Sequence, residues 1–372
     1  MKVSVNIARI IVGALFIFSG LVKAIDPLGL AYKMEEFFEV WAGDGYFTWL
    51  MNSLHHQSLL FSIVMIMLEV TLGVALLAGW QKKLVLNLLL LLMLFFTFLT
   101  SYVLFSGKIR SCGCFGDCIP LTPIQTFTKD IILLLLVIFL LLKKKYIVPW
   151  LKDPLPLMLV LIAIIGSLLL QMQVLKHLPT ADCLPYKKGN DILELRKMPA
   201  DAVQDKYAMS FVYEKNGEKK EFTADKLPDS TWKFSDRKQT LIEKGKNNVP
   251  KINDFSLSDA DGNDSTEAIL NKPAYYLLFL KEIEKGSDRW LPVFTALVKK
   301  ATLEKKPVYI VTSDTKNVQQ YFHQLHSMDV VIYTCDVTAI KTAARANPTL
   351  LVMKGPVVQE KYSWADMAEA VK

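Results

Sequence analysis

Two cysteines separated by a single residue, Cys112 and Cys114, are the sharpest chemical feature of the sequence. A disulfide between them would close a very tight ring, and the intervening Gly113 would relieve the backbone. A strained disulfide is more oxidising and more labile than a relaxed one, which suits thiol–disulfide exchange. Lys108 and Arg110 lie nearby and would favour the thiolate. We therefore predict a redox pair. A structural brace and a metal site are the alternatives, and no ligand spacing supports the metal.

Two ionisable side chains, Arg9 and Glu69, fall inside long apolar runs. A charge within such a run is costly and marks a functional candidate. We expect Arg9 to pair with Glu69, because a long arginine side chain can reach along a helix bundle. The pair would either lock two helices together or allow Glu69 to transfer protons. Asp130 stands at the head of another apolar run, where it would cap a helix or accept a thiol proton.

Apolar runs dominate the first half of the chain. The whole chain has 372 residues, of which 52% are hydrophobic and 21% charged, and its mean hydropathy is +0.29. Each run is near the ~20 residues that a helix needs to cross a bilayer. The first run carries Arg9 and lacks a small-x-small cleavage site, so we predict a retained span. A lipid bilayer is thus the first expected partner. The predicted spans are residues 4–24, 57–80, 84–106, 126–142 and 154–175.

The basic residues of the short loops predict an orientation. Lys82 and Lys83 separate the second and third spans, and the three lysines at 143–145 separate the fourth and fifth. The positive-inside rule then places the N-terminus in the cytoplasm, and all five cysteines on the other side. In a bacterium that compartment is the periplasm, where disulfides persist. We therefore predict a multi-pass protein of the bacterial inner (plasma) membrane.

The second half of the chain is charged and carries strand and helix signals. Asn216 and Gly217 suit a type I′ turn and predict a β-hairpin over residues 207–223. From residue 254 strands alternate with helices, the last of them predicted from Ser363, which indicates a sheet covered by helices. Positive and negative charges are interspersed, the net charge being +7, so we expect no nucleic-acid partner.

Two short motifs carry a family resemblance in this region, residues 254–262 (DFSLSDADG) and 347–355 (NPTLLVMKG). They resemble thioredoxin-like proteins of the TlpA and peroxiredoxin type. The resemblance implies a thioredoxin fold over residues 251–372, with Pro348 at the cis-proline position. The Cys-x-x-Cys of such proteins would fall at 281–290, where this chain has no cysteine. Without a thiolate there is no exchange chemistry, so we expect this domain to hold a client.

The first half resembles DoxX-like membrane proteins, and their MauE-type branch most closely. The resemblance covers residues 1–145 and implies a four-helix bundle linked to redox work. MauE is implicated in forming disulfides of a periplasmic dehydrogenase, and DoxX-type subunits in passing electrons to quinone. Quinone is therefore the one cofactor that the resemblance implies, and Glu69 a residue that could contact it. The matching segments are 9–13 (RIIVG), 18–23 (FSGLVK), 26–27 (DP), 68–69 (LE), 112–117 (CGCFGD), 121–123 (LTP) and 127–130 (FTKD).

Cys118 and Cys183 stand at positions where the MauE-type pattern usually has no cysteine. Two such cysteines on one predicted side of the membrane suggest a disulfide that ties residues 107–125 to the start of the outer domain. Such a long-loop bridge would add a few kcal/mol of stability in the chain-entropy account. A relay from this pair to Cys112 and Cys114 is a second possibility, and two independent thiols a third.

The whole chain resembles Bacteroidetes-type proteins that fuse such a bundle to an outer thioredoxin-like domain. We predict an all-α membrane bundle followed by an α/β domain. The predicted domains are a four-helix core (1–148), a fifth transmembrane helix (149–181), a β-rich neck (182–250) and a thioredoxin-like domain (251–372).

Two functions fit this architecture. In the first, the protein is a thiol–disulfide oxidoreductase that acts through Cys112 and Cys114, passes electrons to quinone and holds a periplasmic protein client. In the second, it is a non-enzymatic, membrane-anchored assembly or maturation factor whose cysteines are structural. No metal or other cofactor is expected.

Overall fold

The computed structural model describes residues 1–109, 113, 116, 118–119, 121–243, 245–283 and 288–372. Its first half is helical and its second half contains two β-sheets. In the described part of the chain, five helices are long and apolar enough to cross a membrane, namely α1, α4, α5, α6 and α7. They agree with the predicted spans to within a few residues, which confirms the five spans. The helices of this half are α1 (Lys2–Ile25), α2 (Pro27–Gly43), α3 (Thr48–His56), α4 (Ser58–Ala78), α5 (Lys82–Ser106), α6 (Pro123–Leu142) and α7 (Leu155–His177).

Helices α1 and α4 pack closely because glycines remove side chains where they cross. A Cβ atom on Gly73 would lie 2.8 Å from the carbonyl oxygen of Gly13, and one on Gly20 would lie 3.1 Å from the Cβ of Glu69. Small residues are what allow membrane helices to approach at this distance. This contact sets the relative depth of the two helices, with residue 20 of α1 level with residue 69 of α4.

Helix α2 covers one end of the bundle. Asp26 caps it by accepting a hydrogen bond from the backbone N–H of Gly29, and Pro27 opens its first turn. One side of α2, including Met34 and Phe37, is buried in the core of the bundle. We call this end, which faces the C-terminal half, the sheet end. The opposite end carries Lys82, Lys83 and residues 143–145, and we call it the lysine end.

The C-terminal half begins with a three-stranded antiparallel sheet of order β2-β1-β3. The predicted hairpin is confirmed, and Asn216 and Gly217 have φ angles of 53° and 84°. The third strand was not predicted, because its sequence is charged and every residue in it is exposed. The strands are β1 (Lys206–Lys215), β2 (Glu218–Thr223) and β3 (Lys233–Glu243).

A five-stranded sheet of order β6-β5-β4-β7-β8 follows. Strand β4 lies at its centre, parallel to β5 and antiparallel to β7, and all five of its residues are buried. The strands are β4 (Tyr275–Phe279), β5 (Val308–Thr312), β6 (Val331–Thr334), β7 (Thr349–Lys354) and β8 (Val357–Ser363). The helices are α8 (Ile192–Arg196), α9 (Thr266–Leu270), α10 (Leu291–Leu303), α11 (Thr315–Gln319) and α12 (Val337–Ala343), with a π-helix at Gln320–Leu325.

The final helix predicted from Ser363 is wrong. Strand β8 extends to Ser363, and only a 3₁₀ turn at Met367–Ala370 follows. The Ser363 hydroxyl accepts hydrogen bonds from the backbone N–H groups of Ala365 and Asp366. These bonds turn the chain immediately after the strand, because a serine side chain competes with helical hydrogen bonding.

Candidate functional site

Cys112 and Cys114 lie outside the described residues. Gly113, which separates them in the sequence, is described and has a φ angle of 67°. A Cβ atom at this position would lie 3.1 Å from the Cγ of Lys33 on α2. Gly113 therefore lies against α2, at the sheet end of the bundle.

A disulfide joins Cys118 and Cys183, whose Cα atoms are 5.0 Å apart and 65 residues apart in sequence. It links the segment before α6 to the segment after α7. Asp182 forms an ion pair with Lys361 of β8, at 2.8 Å between Oδ2 and Nζ. The disulfide thus connects the cysteine-rich segment to a part of the chain that is held on the five-stranded sheet.

Glu69 pairs with Lys23, and the predicted pair with Arg9 is wrong. The Nζ of Lys23 lies 2.5 Å from Oε1 of Glu69, and both side chains are 2% exposed. Ser19 donates its hydroxyl hydrogen to the other carboxylate oxygen, at 3.1 Å. Gly20 lets α1 approach α4 at this level, because a Cβ atom there would lie 2.6 Å from a methyl carbon of Val70. A buried carboxylate is tolerated here because it has both a cation and a hydroxyl donor.

Arg9 lies at the opposite end of the bundle from this pair. Residue 9 is about 16 Å below residue 20 along α1, at 1.5 Å per residue. Its guanidinium donates to the carbonyl oxygens of Leu76, Leu77 and Val148 at 2.8, 2.6 and 2.8 Å. Leu76 and Leu77 lie in the last turn of α4, where backbone carbonyls are open to side-chain donors. Arg9 therefore binds these carbonyls, and Glu69 lies too far away for Arg9 to reach.

Asp130 does not cap α6, and that prediction is also wrong. Thr122 caps the helix, its hydroxyl accepting from the backbone N–H of Gln125 while the Gln125 side chain accepts from that of Thr122. This capping box with Pro123 at the first position starts the helix two turns before Asp130. Asp130 is consequently buried inside α6, where its Oδ1 lies 2.9 Å from the Nζ of Lys129.

The two ion pairs share one small cavity between α1, α4, α5 and α6. Its volume is about 20 Å³, enough for a water molecule. Among the described residues the Oδ2 of Asp130 has no hydrogen-bond partner. We call these four side chains, Lys23, Glu69, Lys129 and Asp130, the ionic cluster. The sequence indicated Glu69 and Asp130 as candidates. It did not single out Lys23 or Lys129, although Lys129 is adjacent to Asp130 in the sequence.

Residues 1–143 match the family model of the methylamine utilisation protein MauE. The membrane half is MauE-like. Residues 207–244, which include the three-stranded sheet, match a domain of unknown function, DUF8463. A curated relative, Protein TlpB of Flavobacterium psychrophilum, is 41% identical over 75 residues, which are 19% of this chain and 20% of that protein. The alignment therefore spans only a fifth of that relative. No solved structure matches the chain.

The C-terminal half docks on α2 of the MauE-like half through ion pairs. The Nε of Arg345 lies 2.8 Å from Oδ2 of Asp26, and both side chains are largely buried. The Nζ of Lys341 lies 2.6 Å from Oε2 of Glu35. Because α2 also packs into the bundle core, it forms a layer between the membrane helices and the five-stranded sheet. The side of α2 that carries Tyr32 and Glu35 is thus covered by the C-terminal half.

Tyr32 of α2 lies at the centre of this contact. Lys281 donates a hydrogen bond to its hydroxyl oxygen at 2.8 Å. The cationic groups of Lys281, Lys341 and Arg345 lie 5.6, 5.0 and 5.4 Å from its ring centroid. Burial raises the pKa of the Tyr32 hydroxyl well above its ordinary value, so the ring stays neutral and attracts the cations through its π-face.

Pro348 lies beside this contact, in a cis peptide bond with Asn347. The side chain of Asn347 accepts from the backbone N–H of Lys281 at 3.0 Å and donates to the carbonyl of Glu282 at 2.9 Å. These bonds hold the segment that follows β4, where the sequence lacks the Cys-x-x-Cys.

A cleft of about 600 Å³ opens between the two halves at this point, within the size range of ligand sites. Its walls include α2, α3, the start of α4, the end of α7, α12, the segment before Pro348 and the segment after β4. The lining side chains with polar groups include Tyr32, Glu35, His55, His56, Ser58, Lys281, Glu282, Ser313, Lys341, Arg345 and Asn347.

Cys335 is a free cysteine, 4% exposed. Burial raises the pKa of its thiol to about 12, so it is a poor nucleophile. Over the described ranges of the chain, no group of three or more His, Cys, Asp or Glu side chains could hold a metal ion.

Proposed function

We propose that the protein is a membrane thiol–disulfide oxidoreductase that acts through Cys112 and Cys114. The observation that carries this proposal is the position of Gly113 against Lys33 of α2. Helix α2 is also the helix on which the C-terminal half docks, so Gly113 and the interdomain cleft share one end of the bundle. The match of residues 1–143 to MauE adds support.

The sheet end faces an oxidising compartment, the periplasm of a bacterium, and the N-terminus is cytoplasmic. The Cys118–Cys183 disulfide supports this orientation, because disulfides persist in such compartments. The lysines of the opposite end agree with it, because short basic loops stay in the cytoplasm. The membrane is then the bacterial inner membrane.

The C-terminal half is a thioredoxin-like domain that holds a client protein. The mixed sheet with central β4 and the cis peptide bond before Pro348 support this assignment. Residues 281–290 contain no cysteine, and the Cys335 thiol is buried. The domain therefore binds rather than exchanges disulfides, and the cleft beside Pro348 is the client site.

The proposed reaction oxidises a client dithiol. The Cys112–Cys114 disulfide accepts two electrons and becomes a dithiol, while a disulfide forms in the client. Reoxidation releases two electrons and two protons, which a bilayer-dissolved quinone takes up to become a quinol. The ionic cluster supports proton transfer inside the bundle, because its cavity is large enough for a water molecule beside the unpartnered Oδ2 of Asp130.

A second function, a non-enzymatic assembly or maturation factor, is favoured by one observation. The Cys118–Cys183 disulfide joins the two halves of the molecule and can act purely as a brace. On this view Cys112 and Cys114 also stabilise their segment, and the cleft holds a partner without chemistry.

A double variant separates the two functions. The protein in lipid nanodiscs is given a fluorescent dithiol peptide and a short-chain quinone, and peptide oxidation is followed. We expect wild type and Cys335→Ala to oxidise the peptide, and Cys112→Ser/Cys114→Ser to lose the activity. A folded wild-type protein that oxidises no peptide would leave only the assembly function. A folded double variant that oxidises the peptide at the wild-type rate would exclude Cys112 and Cys114 as the redox pair.

A further inference from the structure

The floor of the interdomain cleft is formed by the ends of two membrane helices. Ser58 and Leu59, the first two residues of α4, and Leu175, in the last turn of α7, line the cleft. The 21 residues of α4 span about 32 Å, which matches a bilayer core ~30 Å thick. The floor of the cleft therefore lies at the boundary between the hydrocarbon and the lipid headgroups.

Helix α3 forms one side of the cleft and lies at the same depth. The corner that precedes it (residues 44–47) is tied to the end of α5, because the Tyr102 hydroxyl donates to Oδ2 of Asp44 at 3.3 Å. Tyr102 is four residues, or about 6 Å, from the end of α5. At the other end of α3, close to the first residue of α4, His55 and His56 line the cleft. Both ends of α3 thus lie where membrane helices end.

The corner and the first turn of α3 present large aromatic side chains outward. Tyr46, Phe47 and Trp49 are 62, 78 and 82% exposed, and no residue of α3 is buried. Aromatic side chains concentrate at the interfaces between a membrane and water. A short helix with such side chains lies in the interfacial layer, so one side of the cleft is set in the membrane surface.

The charges of the cleft suit a polypeptide better than a lipid headgroup. The pairs Asp26–Arg345 and Glu35–Lys341 are each neutral, and residues 281 and 282 add one lysine and one glutamate. A lipid phosphate would need cations in excess, and apart from the two histidines the described lining has none. A polypeptide segment can use both the balanced polar groups and the apolar ones. The apolar side chains of the lining are Leu28, Leu59, Leu175, Val337, Ile340, Ala346 and Trp364.

We propose that the client of this cleft is a polypeptide anchored in the same membrane, and that it binds through a segment close to its anchor. The proposal rests on the proposed function, which makes the cleft the client site, and adds the class of client. Helix α2, which lies beside the cleft, is about 10 Å thick, so a segment bound there lies within about 10 Å of the hydrocarbon. An extended tether of about three residues spans that distance.

A series of tether lengths tests the proposal. The probe is an uncharged form of the fluorescent dithiol peptide that carries a benzophenone and a two-chain lipid anchor, which holds a peptide stably in a bilayer. Gly-Ser tethers of about 5 and about 30 residues join the anchor to the peptide. In nanodiscs we expect photocrosslinks to α3 and α12. The short tether should crosslink about tenfold more efficiently, because effective concentration falls roughly as the −3/2 power of tether length.

Two valines of the C-terminal half provide matched variants. Val337 lines the cleft and is 47% exposed, whereas Val331 on β6 is 52% exposed and lies away from the lining. Val337→Trp should fill the cleft and reduce crosslinking of the short-tether probe by about tenfold, which corresponds to about 1.4 kcal/mol of binding free energy. Val331→Trp should crosslink as wild type does. Thermal unfolding in nanodiscs verifies that both variants are folded.

Several results would overturn the membrane-anchored client. These are equal crosslinking with the short and the long tether, equal crosslinking with a probe that has no anchor, crosslinks that lie outside the cleft, and equal crosslinking of Val337→Trp and Val331→Trp. Loss of crosslinking when phosphatidylglycerol replaces phosphatidylcholine in the nanodiscs would assign the cleft to a lipid headgroup instead.

The same probes separate this proposal from the proposed function. Cys112→Ser/Cys114→Ser should keep the wild-type crosslinks although it loses peptide oxidation. If the anchored probe crosslinks in the cleft but wild type oxidises no dithiol, the oxidoreductase proposal fails and the membrane-anchored client stands. If wild type oxidises free and anchored peptides at the same rate, the oxidoreductase proposal stands and the membrane-anchored client fails.

Discussion

Charged residues inside the MauE-like half are each matched to a partner at their own depth. Lys23 and Glu69 meet at the level of Gly20, and Arg9 meets the exposed carbonyls of α4 at the lysine end. The identity of the partner therefore depends on where the helices cross, which the Gly13, Gly20 and Gly73 contacts determine. A charge moved by one turn would lose its partner.

Removing one partner of the Lys23–Glu69 pair should destabilise the fold more than removing both partners. We expect Lys23→Met to lower the free energy of unfolding by about 3 kcal/mol, because it leaves a buried carboxylate without its cation. Lys23→Met/Glu69→Leu should recover most of that loss, because both charges are gone. Unfolding in mixed micelles by SDS titration measures both. Equal losses in the single and double variants would show that the pair contributes nothing beyond packing.

Cys335 should resist modification in the folded protein. With a pKa of about 12 against an ordinary 9.0, its thiolate fraction at pH 8 is lower by about 1,000-fold. Iodoacetamide should therefore label it only after unfolding, as peptide mass spectrometry can show. Rapid labelling of native protein at pH 8 would contradict the buried position.

The same pKa shift predicts a pH dependence of stability. The folded state holds the Cys335 proton above pH 9, where the unfolded state has lost it, so its contribution to stability falls as pH rises from about 9 toward 12. Below pH 9 there is no effect. Over that window Cys335→Ala should show a shallower decline than wild type, by up to about 1.4 kcal/mol per pH unit. If the free energies of unfolding of wild type and Cys335→Ala fall in parallel as pH rises, folding does not shift the pKa of the Cys335 thiol.

At the scale of elements, α2 links the two halves. One side of it packs into the membrane helices, and the other presents Asp26, Tyr32 and Glu35 to the C-terminal half. A short helix with two buried sides is rigid, because both faces are held. It can therefore keep the Gly113 segment and the interdomain cleft in a constant relation.

The Asp26–Arg345 ion pair should stabilise the docking of the C-terminal half on α2. Arg345→Gln leaves Asp26 without its buried cation, and we expect the docking to weaken by about 2–3 kcal/mol. Asp26→Asn keeps the helix cap, since asparagine caps well, so its effect reports on the ion pair. Hydrogen exchange of the α2 and α12 amides measures docking, with Glu39→Gln on the exposed side of α2 as the control. The two losses should be non-additive in the double variant; simple addition would argue against direct coupling.

At the scale of the whole molecule, one disulfide joins the segment that precedes α6 to the segment that follows α7. The Cys118–Cys183 disulfide closes a 65-residue separation, and His177 and Asp366 add a contact of 2.8 Å at the end of α7. Cys118 is thereby held covalently near the α/β half.

Removing this disulfide should destabilise the assembly of the two halves. In the chain-entropy account a loop of this length is worth up to about 4 kcal/mol. We expect Cys118→Ser/Cys183→Ser to lower the thermal midpoint in nanodiscs and to increase proteolysis after His177, with Cys335→Ala as the control. An unchanged thermal midpoint would show that the ion pairs on α2 are enough to hold the two halves together.

The sequence by itself determined the features that depend on local pattern. Five apolar stretches of bilayer length predict five helices regardless of how those helices pack. Asn216-Gly217 likewise predicts a hairpin without reference to the rest of the chain. The capping box of Thr122 and Gln125 is equally local, because it depends only on residues three apart in the sequence.

Only the tertiary structure decided which distant groups meet. The partner of Glu69, the burial of Asp130, the covering of α2 and the cavity of the ionic cluster all depend on the depth and rotation of helices relative to one another. Those quantities come from side-chain packing across many elements, in particular the glycine contacts between α1 and α4, and no local stretch of sequence specifies them.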